Sequence, residues 1–183
     1  MAARGTRVQL AIAVWEWGAV FGADQRMKGL NMAWAKWRRP HPQTAPTASK
    51  AAGLHMIGTM SREAAIDEGA DDAMMLDWKG DLAEATGAKV FFVFAGELPT
   101  PKPECFLDGI TRRSVMELAR KRQMKVVERV IHPDELAGAS KVLLAGTAAE
   151  VTPVRRIGTQ DFTPGLITET LMKDFEALVH RRI

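Results

Sequence analysis

The apolar positions of this chain change period several times along its length. Residues 7–17, rich in β-branched and aromatic side chains, predict a strand. Gly22-Ala23-Asp24 predicts a turn, and Met32, Trp34 and Trp37 mark a second strand over residues 30–37. The two prolines of Arg39-Pro40-His41-Pro42-Gln43 predict a loop. A helix follows over residues 49–68, with Leu54, Ile57, Ala64 and Ala65 on one face and Gly69 as its stop. Residues 73–77 predict a short buried strand, and Lys79-Gly80-Asp81 a turn. Strands over 82–86 and 89–94 flank Gly87. The second reads Val90-Phe91-Phe92-Val93-Phe94, apolar on both faces, which predicts a central position in a sheet.

Pro101-Lys102-Pro103 predicts a loop, and residues 111–123 a helix with Val115, Leu118 and Ala119 inward. Residues 125–131 predict a strand, and Pro133 opens a short helix at its favoured first-turn position. Strands over 141–145 and 151–157 lie on either side of Gly146. The last helix covers residues 165–180, with Ile167, Leu171, Phe175 and Leu178 on one face. Strands and helices mix without a βαβ rhythm, and no Gly-rich dinucleotide loop is present, so the class is α+β.

Composition narrows the function classes. The 183 residues are 46% hydrophobic and 26% charged, as in a soluble globular core. The net charge of +3 comes from basic residues scattered along the chain, apart from Arg38-Arg39 and Arg181-Arg182, and gives no argument for nucleic acid. Cys105 is the only cysteine, so no intrachain disulfide forms and a reducing compartment, the cytoplasm, is expected. Arg4 and Arg7 ahead of an apolar run faintly resemble a signal peptide, but Gln9 interrupts the run and no small-residue cleavage site follows. No stretch reaches the roughly 20 apolar residues of a membrane span.

Four places could carry chemistry. Lys50 lies among small residues in Pro46-Thr47-Ala48-Ser49-Lys50-Ala51-Ala52-Gly53, just where helical periodicity begins. Held out of water, its amine loses proton affinity and can form a Schiff base with a carbonyl; left in water, it is a lysine in the first turn of a surface helix. Glu84 shares a strand face with Leu82 and Thr86 by alternation. There it is paired, functional, or reaches solvent from a strand end. Gly109-Ile110-Thr111-Arg112 presents backbone N–H groups at a helix start, either for an anion or as an ordinary threonine cap. Gly146-Thr147-Ala148-Ala149-Glu150 is a small-residue turn, either an anion nest or a tight connection between strands. His41, His132 and His180 show no metal spacing, and no metal is expected. Cys105 reads as a packed residue, and the ten methionines as core filler.

Taken in order, Lys50, Glu84, Leu107-Asp108-Gly109-Ile110-Thr111-Arg112 and Gly146-Thr147-Ala148-Ala149-Glu150-Val151-Thr152-Pro153-Val154 resemble the class IV pyridoxal-phosphate aminotransferases, the branched-chain amino acid type above all. The resemblance covers nearly the whole chain. It implies a D-amino acid aminotransferase-like fold: a large C-terminal domain with a mixed sheet or pseudo-barrel flanked by helices. Residues 1–40 would hold the first strands of that domain and residues 41–183 the cofactor-binding part. It implies the cofactor pyridoxal 5'-phosphate. Lys50 would hold it as a Schiff base and then move the proton at the substrate α-carbon. Glu84 would pair with the pyridine nitrogen and keep it protonated. Ile110 and Thr111 would bind the phosphate through N–H groups, helped by the Thr111 and Thr147 hydroxyls, and Leu107 would pack on the ring. Thr147 and Ala148 would meet the substrate carboxylate. The implied reaction moves an amino group between Leu, Ile or Val and 2-oxoglutarate, in a homo-oligomer such as a dimer, with neither nucleic acid nor membrane as partner. D-amino acid aminotransferase and aminodeoxychorismate lyase are neighbours within the fold.

The chain departs from the family pattern twice. Family members carry a small N-terminal domain that supplies an arginine to the phosphate and part of the substrate pocket, and only Met1-Ala2-Ala3-Arg4-Gly5-Thr6 precedes Arg7 here. The alternative expectation is therefore a truncated, weak or inactive cofactor domain that needs a separate N-terminal partner. Apolar surface around Trp15, Trp17 and Trp34 would then be exposed. Second, His55 stands where the family has a tyrosine that hydrogen-bonds the cofactor's phenolic oxygen, and the chain has no tyrosine at all. Histidine can still donate that bond, with a different reach and titration.

Overall fold

The computed structural model describes residues 5–16 and 27–181. Trp17 and the turn predicted at residues 22–24 lie outside them. The elements run β1 (Leu30–Trp34), α1 (Ala52–Asp67), β2 (Asp72–Leu76), β3 (Leu82–Ala85), β4 (Lys89–Val93), β5 (Leu98–Pro101), α2 (Ile110–Lys121), β6 (Val126–Arg129), a 3-10 turn at Pro133–Gly138, β7 (Lys141–Gly146), β8 (Glu150–Ile157), β9 (Gln160–Asp161) and α3 (Leu166–Val179).

One mixed sheet carries the architecture, in the order β3-β2-β1-β8-β7-β4, with β9 against β8. β1 runs parallel to both β2 and β8, and the other pairs in this sheet are antiparallel. β1 is thus inside the same sheet as the later strands. The two ends of the sheet come together where the Ala85 N–H donates to the Ala88 carbonyl at 2.9 Å, which nearly closes it. One face buries Leu30, Met32, Met74, Phe92, Leu144 and Val154. The other packs Phe91, Val93, Leu143 and Ala145 under α2 and α3. Val115, Leu118 and Ala119 on α2, and Leu171 and Phe175 on α3, enter that second core as their helical spacing predicts, with Ile167 and Leu178 at its margin.

Several expectations are corrected. Residues 7–16 form no strand: no element is assigned over them, and Val8, Leu10, Ile12 and Val14 are all exposed. Side-chain pattern alone cannot make a strand without an edge to supply hydrogen bonds. Trp15 and Trp34 are exposed as expected. β4 is not central: among the described residues it pairs only with β7. It is apolar on both faces because Val90 and Phe92 enter one core while Phe91 and Val93 enter the other. β5 (Leu98–Pro101) forms where no element was predicted, and takes only Pro101 from the loop expected at 101–103. It pairs in parallel with β6, and Leu98 N–H donates to the Lys125 carbonyl at 2.9 Å, so Pro99 and Pro101 turn their missing donors to the unpaired side.

α1 begins at Ala52 and buries Gly58, Ser61 and Ala65, while Ala64 is exposed. The small residues allow close approach: a Cβ on Gly58 would lie 2.8 Å from the Thr86 carbonyl oxygen. In β3, the partners Met75↔Glu84 and Leu76↔Leu82 leave Ala83 as an extra residue, a bulge. It breaks strict alternation, so Leu82 and Ala85 share one core while Ala83 enters a separate cluster with Cys105 and Phe106. Glu84 therefore does not share an inward face with Leu82.

Candidate functional site

The site is built around the Glu84 carboxylate, which is only 5% exposed. Its Oε1 lies 3.1 Å from Arg39 Nε, and its Oε2 accepts from the Lys89 ammonium in a direct ion pair. Burial pushes the Glu84 carboxyl above the ordinary range, against Lys89, Arg39 and His55, which hold it down. A carboxylate in such a place needs cations, and two supply them.

Each cation is held by its own element. Arg39 follows β1, where its N–H donates to the Leu76 carbonyl at 2.8 Å and fixes the chain against the end of β2. Its guanidinium also donates to the carbonyls of Cys105 (3.4 Å) and Leu54 (3.3 Å). Lys89 opens β4, five residues after Glu84, and its ammonium sits 5.3 Å from the Phe106 ring centroid. Cys105 lies beneath this cluster, and burial pushes its thiol up to about 12, with Asp77 and Glu84 adding to the rise. That is an inert, packed thiol.

The start of α2 adjoins Lys89. The cap residue is Gly109, not a threonine, and no side chain caps the helix. The N–H groups of Ile110 and Thr111 therefore lack partners within the helix and lie at its positive end. A Cβ on Gly109 would sit 3.6 Å from the Lys89 stem. Thr111 is buried, Leu107 is half-buried and Ile110 is exposed. Arg112, one residue further on, anchors the helix. It donates to Asp108 Oδ1 (2.9 Å), Thr100 Oγ1 (3.2 Å), the Pro101 carbonyl (3.0 Å) and Glu128 Oε2 (2.7 Å).

The β7–β8 turn packs on the same corner, where a Cβ on Gly146 would lie 3.1 Å from that of Ala88. Thr147 and Ala148 at its tip are exposed. Lys50 stands just ahead of α1 and is also exposed, so its small neighbours do not keep it from water in this chain. The stretch leading to it is pinned, with Thr47 Oγ1 donating to the Glu104 carbonyl at 3.3 Å. His55 is exposed on the first turns of α1, near enough that a charge on it would help to hold the Glu84 carboxyl down. The structure thus brings together Glu84, His55 and, through Lys89, the start of α2. No hydrogen bond or ion pair among the described residues ties Lys50, Thr147 or Ala148 to Glu84. Sequence reasoning missed Arg39 and Lys89. The signal for Lys89 was its place directly across the Gly87 turn from a carboxylate in a buried strand.

Among the described residues, no group of His, Cys, Asp and Glu could hold a metal ion, and no helix is long and apolar enough to cross a membrane.

With that geometry in hand, similarity to known proteins places the chain. Residues 3–157 match the family model of the class IV amino-transferases, and the chain belongs to that family. Among curated relatives, it is 36% identical over 180 residues to a branched-chain-amino-acid aminotransferase of Pseudomonas aeruginosa, covering 97% of this chain and 59% of that protein. It is 35% identical over 154 residues to the enzyme of the same name from Escherichia coli strain K12, covering 84% of this chain and 50% of that one. Among solved structures, a T.th. branched-chain amino acid aminotransferase with pyridoxamine 5'-phosphate superposes with a TM-score of 0.87 at 32% identity, covering 92% of this chain and 56% of that one. An aminotransferase from Brucella abortus bound to the cofactor PLP gives 0.78 at 28% identity, covering 84% and 55%. The α+β class and the nearly closed mixed sheet agree with these neighbours. The chain spans about half the length of the relatives it matches.

Proposed function

We propose that this chain is the cofactor-holding part of a pyridoxal-phosphate-dependent aminotransferase that moves an amino group between Leu, Ile or Val and 2-oxoglutarate. The observation that carries the reading is the buried Glu84 carboxylate, set beside the uncapped start of α2. The donor set fits the cofactor: a carboxylate for a protonated ring nitrogen, and free N–H groups at a positive helix end for a phosphate. When bound, pyridoxal phosphate supplies an electron sink that loosens the α-proton of an amino acid.

The residues divide the work. Lys50 attaches the cofactor and then carries the proton to and from the substrate α-carbon. Its exposure in this chain leaves it accessible for that attachment. Glu84 keeps the ring nitrogen protonated. Ile110 and Thr111 donate backbone N–H groups to the phosphate, with the Thr111 and Thr147 hydroxyls beside them, and Leu107 lies along the ring. His55 donates to the phenolic oxygen in place of a tyrosine. Thr147 and Ala148 receive the substrate carboxylate. The enzyme works in the cytoplasm as a homo-oligomer.

A second reading follows from the length relationship. The chain covers 59% and 50% of the two curated relatives. A site completed by an N-terminal domain would lack one wall and one phosphate cation in this chain alone. Charge-assisted hydrogen bonds are roughly twice as strong as neutral ones, so the phosphate would be held weakly. The chain would then be inactive until joined by such a partner.

Two measurements test both readings. Adding pyridoxal phosphate should give a visible absorbance band, and borohydride should fix the cofactor mass on Lys50. A mass addition that survives Lys50→Ala at full strength overturns the assignment. Amino transfer from leucine to 2-oxoglutarate is then followed with the chain alone and with a separately expressed N-terminal domain. Turnover by the chain alone supports the first reading, and rescue by the added domain the second. Turnover confined to D-amino acids, or cleavage of aminodeoxychorismate, would move the chain to a neighbouring activity of the fold.

A further inference from the structure

Both oxygens of Glu84 already have cations on them: Arg39 on Oε1 and Lys89 on Oε2. The two cations are not equivalent. Arg39 is held by two backbone carbonyls besides Glu84, and its own N–H fixes the chain to β2, so it belongs to the framework. The Lys89 ammonium has no hydrogen-bond acceptor besides Glu84 among the described residues. Its other neighbour is the face of Phe106, and its flexible stem runs past Gly109 at the start of α2. Lysine is a point charge on a mobile stem, whereas arginine is a fixed fork. Lys89 is therefore the partner that a new cation at Glu84 would have to share with or displace.

We propose that Lys89 is a positioning residue that competes with a protonated cofactor ring for Glu84, and so lowers both the affinity for the cofactor and the proton affinity of its ring nitrogen. This rests on the reading of Glu84 as the partner of that nitrogen. The charge count gives the direction. Glu84 brings one negative charge, and Arg39 and Lys89 bring two positive ones, with His55 on α1 adding to them when protonated. Cys105, on the segment before α2, is a neutral thiol, and the charge of Asp77, after β2, acts on Cys105. A protonated ring nitrogen brought to Glu84 adds a third cation to one carboxylate in a place with little water, where like charges repel strongly. Neutralising Lys89 removes that repulsion and frees Oε2. Arg39 remains to hold Glu84 in place.

The test is an absorbance titration of the full chain with pyridoxal 5'-phosphate. Lys89→Met should bind at least about tenfold more tightly than the wild type. Lys89→Gln, which keeps a polar donor without the charge, should also bind more tightly, and it serves if the methionine variant does not fold. Lys89→Arg, which keeps the charge, should show no gain in binding. In a Glu84→Gln background the same Lys89 change should have no effect on affinity. A second readout needs no cofactor: the Glu84 carboxyl, followed by carbon-13 NMR, should titrate at higher pH in the neutral Lys89 variants. Equal or weaker binding by both neutral variants, an unchanged Glu84 titration, or a gain that persists without Glu84 overturns the inference. Absence of attachment at Lys50 in every variant overturns the functional reading and this inference with it. Normal attachment with no gain from neutral Lys89 overturns this inference alone.

Discussion

Arg112 Nη2 donates to Glu128 Oε2 at 2.7 Å from a guanidinium that is 1% exposed. That contact ties the first turn of α2 to β6. The same side chain reaches Thr100 and the Pro101 carbonyl on β5, so one arginine fixes the helix start against both strands of the small sheet. The N–H groups proposed for the phosphate lie one and two residues before it.

Arg112→Met should therefore act on stability and on cofactor binding together. It leaves a buried threonine hydroxyl and a carbonyl without their donor, and unpaired buried groups cost about 1–3 kcal/mol each. We expect a loss of about 2 kcal/mol or more in urea unfolding, and weaker binding of pyridoxal phosphate. Unchanged stability would show that the arginine only fills space.

Gly58 tests the close packing of α1. Alanine would gain about 1 kcal/mol of helix propensity. Its Cβ, however, would lie 2.8 Å from the Thr86 carbonyl, a backbone atom that cannot swing aside. Overpacking of this kind costs about 1–3 kcal/mol, so the clash should win and Gly58→Ala should lower the melting temperature. A rise in melting temperature would mean that α1 moves freely over the residues 86–88 corner.

How much of this was legible beforehand depended on where each interaction partner lay. α2 and α3 could be read directly, because a helix satisfies its own backbone and its buried face repeats in one stretch of sequence. Strands were harder. Residues 7–16 have strand-like composition but join no sheet among the described residues, and β5 has two prolines but a partner in β6. The bulge at Ala83 is a property of the β2–β3 pairing and has no signature within β3 alone. At the site, the ordered motif set named Glu84 and the α2 start. Arg39 is brought to Glu84 by the fold across two other elements, and sequence spacing carries no trace of that.

Asp72 gives a pH dependence of definite sign. Burial pushes its carboxyl above the ordinary 3.8, against the Thr86 hydroxyl, the Ala73 N–H and the charge of Arg62. A carboxyl raised in the folded state binds more protons there than in the unfolded chain. Its contribution to stability is greatest in acid and is lost as pH rises from 3.8 through the raised value. Asp72→Asn keeps an acceptor for Thr86 and removes the titration. The variant should therefore gain stability relative to the wild type as pH rises from about 4 to 7. Urea midpoints of both proteins across that range measure it. A gap that stays constant, or moves the other way, would refute the assignment.

Glu84→Gln separates the electronics of the site from its attachment chemistry. The amide keeps the shape of the side chain but not its charge, so a ring nitrogen beside it is no longer held protonated. Lys50 belongs to a different segment, ahead of α1, and is exposed. Nothing in its position depends on Glu84, so borohydride should still fix the cofactor on Lys50 in the variant. Turnover, measured in whichever form of the protein is active, should fall by about 10²-fold or more, since charge stabilisation of this kind is worth several kcal/mol. Stability should fall as well. Arg39 and Lys89 would face a neutral amide, and breaking a buried ion pair from one side leaves uncompensated charge. A second change, Lys89→Met, removes one of those charges and should restore part of the stability but none of the lost rate. Unchanged turnover in Glu84→Gln would refute the role of the carboxylate. Rate restored together with stability would mean that the loss had come from misfolding alone.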